Sequence, residues 1–133
     1  MRRAIVAILF AAPPAFGGTP ADLLGVYETQ ARRADPSYAG ASVQRGAALY
    51  GRADPGGGSA TCASCHSPDP RGPGRHARTG KAIEPLAPAA NPMRLTDTAK
   101  AEKWFGRNCR DVLARECTPQ EKADFVRFLI HSR

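Results

Sequence analysis

The chain has 133 residues, and only 28 of them are large apolar side chains, seven of which lie within the first 16 positions. Such a small number excludes two domains and a large apolar core, so the chain needs disulfides, a metal or a cofactor to fold. Its net charge of +7 is scattered, and no recognition helix or aromatic platform accompanies the basic residues, which argues against nucleic-acid binding.

The first 17 residues have the pattern of a secretory signal peptide. Arg2 and Arg3 precede nine apolar residues at positions 4–12, and small residues follow as far as Gly17. A membrane-spanning helix requires roughly 17–25 apolar residues, about twice this run. The sequence therefore predicts a signal peptide at 1–17, a mature domain at 18–133, and export to the periplasm with no membrane span left after cleavage.

Two amphipathic helices are predicted before the first Gly-rich loop. The segment Thr19-Pro20-Ala21-Asp22 combines a capping residue, a proline at the first helical position and an acid at the third, and apolar periodicity continues to about Arg33. Ser42 can cap a second, shorter helix that contains Gly46. Residues 52–61 then form a loop by composition.

The second half of the chain predicts one irregular segment and two further helices. Residues 67–93 are rich in Pro and Gly and show no periodicity. Thr96-Asp97 can begin a helix that ends near Gly106, and a short turn of helical character is expected between the last two cysteines. A capping box that starts at Thr118 opens the last helix, which carries the densest apolar patch. No segment shows strand alternation, so we expect an all-α fold.

The pentapeptide Cys62-Ala63-Ser64-Cys65-His66 has the spacing of a haem c attachment site. Two thiols one helical turn apart can add across the two vinyl groups of one porphyrin, and the adjacent imidazole then becomes the proximal iron ligand. A thioredoxin-like pair would need a βαβ context, and a zinc site would need a second ligand pair at finger-like spacing. The sequence therefore predicts one covalently attached haem c, held by Cys62, Cys65 and His66.

The two remaining cysteines are expected to pair with each other. In an oxidising compartment, Cys109 and Cys117 would form a disulfide that encloses seven residues. The alternatives are two unrelated buried thiols, or a framework in which all four cysteines form disulfides and no haem is bound.

The identity of the sixth iron ligand separates two functions. Gly46 in an early helix, the attachment motif and an aromatic-rich last helix resemble class I cytochromes c, most of which use a Met sulfur on the distal side. Met93 is the only methionine after the first residue, so a His66/Met93 electron shuttle with no open coordination site is one hypothesis. His76 and His131 are further candidates, although a lone His is more typical of the surface.

A longer set of motifs resembles the SHP (sphaeroides haem protein) family. The matching segments are Arg78-Thr79-Gly80-Lys81, Pro85-Leu86-Ala87-Pro88, Thr96-Asp97, Glu102-Lys103-Trp104, Gly106-Arg107-Asn108-Cys109 and Cys117-Thr118-Pro119. The resemblance covers nearly all of the mature chain, from Thr19 to the last helix. It implies a class I cytochrome c-like fold around one haem with an extra N-terminal helix, and Asn108 as a switchable distal ligand beside a Cys109–Cys117 disulfide.

The resemblance also implies a function. In that family the Asn ligand is bound in the oxidised state and leaves on reduction, and the reduced protein then binds O2 or NO, with CO as a further small ligand. The usual electron donor is a dihaem cytochrome c, and the positive charge of this chain suits an acidic partner. The sequence does not decide whether the chain also acts as an oxygen or nitrogen-oxide reductase.

Five further residues are candidates for the surroundings of the haem. Trp104 lies one turn before Asn108 and is expected either on the distal face or in the core. The carbonyl of Pro85 is the candidate acceptor for the Nδ1–H of the proximal imidazole, because ligating histidines usually donate that proton to a fixed acceptor. Candidates for pairing with the haem propionates, each also interpretable as a solvated surface charge, are Lys81, Arg78 and Arg107.

Overall fold

The computed structural model describes residues 18–53 and 60–133, so the predicted signal peptide at 1–17 lies outside the described residues. The helices within these two ranges are α1 (Pro20–Ala34), α2 (Val43–Gly51), α3 (Cys62–His66), α4 (Thr98–Leu113) and α5 (Pro119–His131). A short antiparallel hairpin of β1 (Gly74–Arg75) and β2 (Ala82–Ile83) lies between α3 and α4.

The predicted all-α class is confirmed, with one small addition. The hairpin pairs Gly74 with Ile83 and Arg75 with Ala82, inside the segment expected to be irregular. Two residues per strand are too few to produce an alternating pattern, so the sequence carries no signal for it. In the described part of the chain, no helix has the length and apolar character needed to cross a bilayer.

The predicted caps begin the helices where the sequence places them. The Thr19 hydroxyl accepts a hydrogen bond from the Asp22 backbone N–H, and the Asp22 carboxylate accepts from the Thr19 backbone N–H at 2.7 Å, which completes a capping box for α1. Ser42 caps α2 in the same way through the backbone N–H of Arg45. These side chains satisfy N–H groups that lack a partner within their own helix.

Helix α5 is the centre of the fold and packs against both α1 and α2. Its apolar face lies against the buried face of α1, which is the extra N-terminal helix. The cluster shared by these two helices consists of Leu23, Leu24, Tyr27, Ala123 and Val126. Tyr50 of α2 contributes a ring whose centroid lies 5.4 Å from that of Phe128 and 6.0 Å from that of Phe125.

The crossing of α2 and α5 depends on a glycine and a buried carboxylate. A Cβ atom added to Gly46 would lie 2.1 Å from the backbone oxygen of Asp124, so only glycine allows the helices to approach this closely. The Asp124 carboxylate is 2% exposed and accepts hydrogen bonds from the Ser42 backbone N–H and from Nε and an Nη of Arg45, at 2.7–2.8 Å. This buried carboxylate is tolerated because these three hydrogen bonds, two of them from a positively charged guanidinium, compensate for its loss of solvent.

The expectation that a helix ends near Gly106 is wrong. Helix α4 continues through Gly106 to Leu113 and ends at Ala114, which has a left-handed φ of 55°. A glycine inside a helix costs about 1 kcal/mol relative to alanine. The apolar face of α4 nevertheless continues on both sides of the glycine with Phe105 and the buried Cys109, so packing outweighs that cost. Asn108 therefore lies inside a helix and is not a capping residue.

Candidate haem site

Helix α3 consists of the attachment motif itself and is only five residues long. A capping box stabilises it: the Thr61 hydroxyl accepts from the Ser64 backbone N–H, and the Ser64 hydroxyl accepts from the Thr61 backbone N–H. The thiols of Cys62 and Cys65 are half-buried and are not joined to each other. Burial raises the pKa of Cys62 to about 11, so this group is a thiol at neutral pH and resists oxidation.

The imidazole of His66 has the properties of an uncommitted metal ligand. It is half-buried, and its Nδ1 is buried without a hydrogen-bond partner among the described residues. Burial, together with the positive charge of Arg94, lowers the pKa of His66 and favours the neutral form that binds metals.

Two residues that the sequence does not single out hold the end of α3 in place. The buried Tyr50 hydroxyl donates to the backbone oxygens of His66 and Ser67, at 3.1 and 2.5 Å respectively. Gly74 of β1 lies directly against the motif, because a Cβ atom at this position would be 2.1 Å from the backbone oxygen of Cys65. The hairpin therefore packs directly against the backbone of the attachment motif and restricts its position.

The structure gives the Pro85 carbonyl a different partner from the expected one. It accepts a hydrogen bond from Nε of Arg94 at 2.9 Å, and an Nη of the same guanidinium donates to the Glu84 carbonyl at 2.8 Å. Arg94 carries no sequence pattern that would have identified it. Among the candidate propionate partners, Lys81 and Arg78 are exposed and form no ion pair within the described residues.

Asn108 lies on α4, one residue before a cysteine that forms a disulfide. Cys109 and Cys117 are bonded, with their Cα atoms 5.6 Å apart, and Cys109 is 6% exposed. The carboxamide of Asn108 is half-exposed and makes no hydrogen bond to any described residue. Trp104 is 43% exposed, and the guanidinium of Arg107 lies 5.5 Å from its ring centroid.

The alternative distal ligand lies in a very different environment. Met93 is 78% exposed, in a turn where its backbone N–H donates to the Asn91 side-chain oxygen at 3.2 Å. His76 accepts a hydrogen bond from the Thr79 backbone N–H at 3.2 Å within the turn of the hairpin. The Nδ1 of His131 contacts the Arg127 carbonyl at 3.0 Å, so in both imidazoles Nδ1 has a partner close in sequence.

The residues of α3 fit a covalently attached haem. Two unpaired thiols on one helical turn supply the two thioether positions, and the adjacent imidazole keeps an unsatisfied buried nitrogen. No group of three His, Cys, Asp or Glu side chains within 18–53 and 60–133 is arranged to hold a metal ion by itself.

Comparison with known proteins agrees with this interpretation. A family model described as a domain of unknown function (DUF1924) matches residues 36–129. The chain is 44% identical over 133 residues to the cytochrome c-type protein SHP of Cereibacter sphaeroides, covering 97% of this chain and 98% of that protein. It is 38% identical over 130 residues to cytochrome c'' of Methylophilus methylotrophus, covering 96% of this chain and 90% of the other.

Two solved structures have the same fold. One is oxidized SHP, described as an oxygen-binding cytochrome c, with a TM-score of 0.75 and 45% identity over 84% of this chain and 96% of that chain. The other is oxidized cytochrome c'' from Methylophilus methylotrophus, with a TM-score of 0.75 and 38% identity over 84% of this chain and 93% of that chain.

Proposed function

Because the chain belongs to the family of c-type cytochromes that includes SHP and cytochrome c'', we propose that it is an exported, oxidisable and reducible haem protein that binds a small diatomic ligand when reduced. Membership of this family makes one covalently bound haem c its cofactor. When bound, the haem supplies an iron that takes up one electron and has two axial positions. His66 is proposed for one of these positions and Asn108, reversibly, for the other.

The proximal side is proposed to be permanent. Cys62 and Cys65 hold the porphyrin through thioether bonds, and His66 follows directly on the same helical turn. The Tyr50 hydroxyl and the backbone of Gly74 immobilise the end of α3, so the imidazole keeps one position in both oxidation states. Because the proximal ligand His66 is fixed, a change of coordination on reduction is expected on the distal side.

The observation that carries the proposal is the state of Asn108. Its carboxamide is half-exposed, forms no hydrogen bond to the described residues, and precedes a cysteine that a disulfide ties to the loop before α5. An amide oxygen is a hard, neutral and weak ligand, which suits ferric iron better than ferrous iron. Asn108 is therefore proposed to bind in the oxidised protein and to leave on reduction, which opens the distal position to O2 or NO.

The competing function is a His66/Met93 electron shuttle. A thioether favours ferrous iron, so such a protein would remain six-coordinate when reduced and would not bind external ligands. The exposure of Met93, at 78%, and its position in an external turn support Asn108 over this alternative.

Asn108→Ala separates the two functions. We expect haem attachment to be unchanged, because Cys62, Cys65 and His66 are untouched, and the oxidised absorption and EPR spectra to change, because the iron loses one of its ligands. The matched control is Met93→Leu, which should leave both spectra as in the wild type. The reduced wild-type protein should be high-spin and should change its spectrum on addition of CO or NO.

A low-spin reduced spectrum that does not respond to CO would rule out the open site. An oxidised spectrum unchanged in Asn108→Ala would remove Asn108 as a ligand, and a loss of low-spin signal in Met93→Leu would establish the shuttle instead.

The electron donor is proposed to be a dihaem cytochrome c in the periplasm. Residues 18–133, the mature chain expected after cleavage, carry 17 Lys and Arg against 12 Asp and Glu, and this net charge of +5 is suited to an acidic partner surface, since opposite charges raise the rate of encounter.

A further inference from the structure

The ammonium group of Lys122 lies between three helices. Lys122 belongs to α5, and its side chain is only 17% exposed. Its Nζ is 2.9 and 3.1 Å from the two carboxylate oxygens of Glu102 on α4. The same atom lies 5.6 Å from the ring centroid of Tyr27 on α1 and 5.9 Å from that of Phe105 on α4. We call these four residues the aromatic clamp.

The rings of the clamp are themselves packed into the core. Tyr27 is fully buried, and its ring meets that of Phe105 edge to face, with centroids 5.5 Å apart. Phe105 makes a second edge-on contact with Phe125 of α5 at 5.6 Å. Burial raises the pKa of the Tyr27 hydroxyl, and the nearby Glu102 carboxylate adds to this effect, so Tyr27 stays neutral beside the ion pair.

The clamp and the disulfide attach α4 to the rest of the molecule at two different positions along the helix axis. Glu102, Phe105 and Cys109 are spaced three and four residues apart and therefore lie on one face of the helix. Cys109 lies seven positions after Glu102, which corresponds to about 10 Å along the helix axis. One covalent attachment point at Cys109 would leave the helix free to tilt and rotate about it, whereas a second point at this distance prevents both motions.

Asn108 is sensitive to such motions because of its place on the helix. It lies next to Cys109 in sequence, which puts it about 100° around the helix axis from the attached face. A rotation of α4 about its axis therefore moves the Asn108 carboxamide sideways while leaving the disulfide intact.

We propose that the Glu102–Lys122 pair is a positioning element that holds α4 in the rotation at which Asn108 reaches the distal side of the haem. The inference rests on the proposed ligand role of Asn108. It concerns how readily Asn108 gives up its place as a ligand.

Because it is partly buried, the Glu102–Lys122 pair is expected to contribute more to holding α4 in place than an ordinary surface ion pair would. The Lys122 side chain is 17% exposed and that of Glu102 is 43% exposed, so removing Glu102 leaves a mostly buried ammonium without its counter-charge, and such losses are more costly than those of fully exposed pairs. Arg110 of α4 also forms an exposed pair with Glu116 in the loop before α5, in which the side chains are 58% and 81% exposed and the N–O distance is 3.3 Å. This second pair provides a matched control on the same helix.

The test uses the oxidised holoprotein and external imidazole, which competes with Asn108 for the distal position. The apparent affinity for a competitor rises in proportion to the fraction of molecules in which the site is open. We expect Glu102→Gln and Lys122→Met each to bind imidazole on the order of tenfold more tightly than the wild type, within the usual range of coupling between sites. Before imidazole is added, the oxidised absorption and EPR spectra of both variants should shift toward those of Asn108→Ala.

The controls distinguish positioning from a general loss of stability. Arg110→Gln should leave imidazole affinity unchanged, and Lys122→Arg, which retains the charge, should restore most of the wild-type behaviour. In the double variant Glu102→Gln/Lys122→Met, the effect should be smaller than the sum of the two single effects, because both remove the same interaction. If one of the two single variants fails to fold, the imidazole affinity of the other, compared with that of Lys122→Arg, still tests the inference.

Wild-type imidazole affinity in both single variants would overturn the inference, provided that Asn108→Ala still changes the oxidised spectrum. If Asn108→Ala changes nothing, the proposed function itself fails, and the clamp then has no ligand to position. An equal response from Arg110→Gln would show that any lost charge on α4 has the same effect and would also overturn the inference.

Discussion

At the scale of single residues, glycine decides how closely backbones approach around the attachment motif. Gly46 allows α2 to cross α5, and Gly74 allows the hairpin to lie against Cys65 and His66. Both positions would place a Cβ atom 2.1 Å from a backbone oxygen, a distance at which the backbone itself must move. Gly46 has a recognisable sequence context, whereas Gly74 is one of several glycines in a Gly/Pro-rich stretch.

We predict that Gly74→Ala impairs haem attachment and destabilises the holoprotein. The added methyl group forces the hairpin away from α3, and overpacking of this kind costs typically about 1–3 kcal/mol. The yield of covalent haem and the urea midpoint of the oxidised protein would measure the two effects. Gly25→Ala is the matched control, because a Cβ atom there meets nothing within 4 Å in the exposed face of α1. A Gly74 variant that behaves like the Gly25 variant would contradict the supporting role of the hairpin.

At the scale of secondary structure elements, the start of α5 is held by a charged network. Glu121 completes the capping box of Thr118, and its carboxylate also accepts from Arg115 at 2.7 and 2.8 Å and from Arg52 at 3.2 Å. The hydrogen bonds from Arg115 are the main reason that the pKa of Glu121 is lowered to about 2, against the opposing effect of burial. The network ties the loop before α5 to the end of α2.

This lowered pKa predicts a specific pH dependence. Since the folded protein holds Glu121 ionised more strongly than the unfolded chain does, its contribution to stability is present above about pH 5 and is lost as the pH falls toward 2. We expect Glu121→Gln to lower the Tm at pH 7 and to match the wild type near pH 2. Glu116→Gln, at an exposed ion pair, should have little effect at any pH. A Tm difference for Glu121→Gln that does not vary with pH would contradict the assignment.

At the same scale, α4 shows how packing overrides a local signal. The glycine at 106 favours a helix end, but Phe105 packs on Tyr27 and Phe125, and the buried Cys109 continues the same face. The continuous helix places Asn108 on the same element as Glu102 and Phe105, the two clamp residues that α4 contributes.

At the scale of the whole molecule, the scarcity of large apolar side chains has a structural counterpart. The largest fully buried side chains among the described residues are Tyr27, Leu129 and Val126, a small set for a domain of this length. The family's haem c supplies the missing apolar volume, since a porphyrin is a large flat apolar disc that few side chains need to surround.

We therefore predict that the chain does not fold cooperatively without its haem. Cys62→Ala/Cys65→Ala removes both points of attachment, and the variant should show reduced helical circular dichroism and no sharp thermal transition. Ala63→Ser, within the motif but outside its chemistry, is the control and should unfold as the wild type does. A sharp transition in the double variant at the wild-type temperature would show that the protein core is sufficient by itself.

Several features of this protein followed from local sequence patterns. The caps at Thr19, Ser42 and Thr118 begin helices at the predicted residues, because a cap is formed by side chains within three residues of one another. The haem c cofactor followed from Cys62, Cys65 and His66 for the same reason, since the motif lies within one helical turn. The ligand role of Asn108 came from a family resemblance and stays a prediction.

Other features were decided by the tertiary structure alone. Four features depend on contacts between separate segments of the chain or on how the helices pack. They are the continuation of α4 through Gly106, the contact of Gly74 with α3, the hydrogen bond from Arg94 to the Pro85 carbonyl, and the Glu102–Lys122 pair. Propensity and spacing act over a few residues and carry no information about such contacts. The sequence by itself therefore determined which group this protein binds and where its helices start, and the packing of α4 against α1 and α5 decided that Asn108 lies inside a continuous helix.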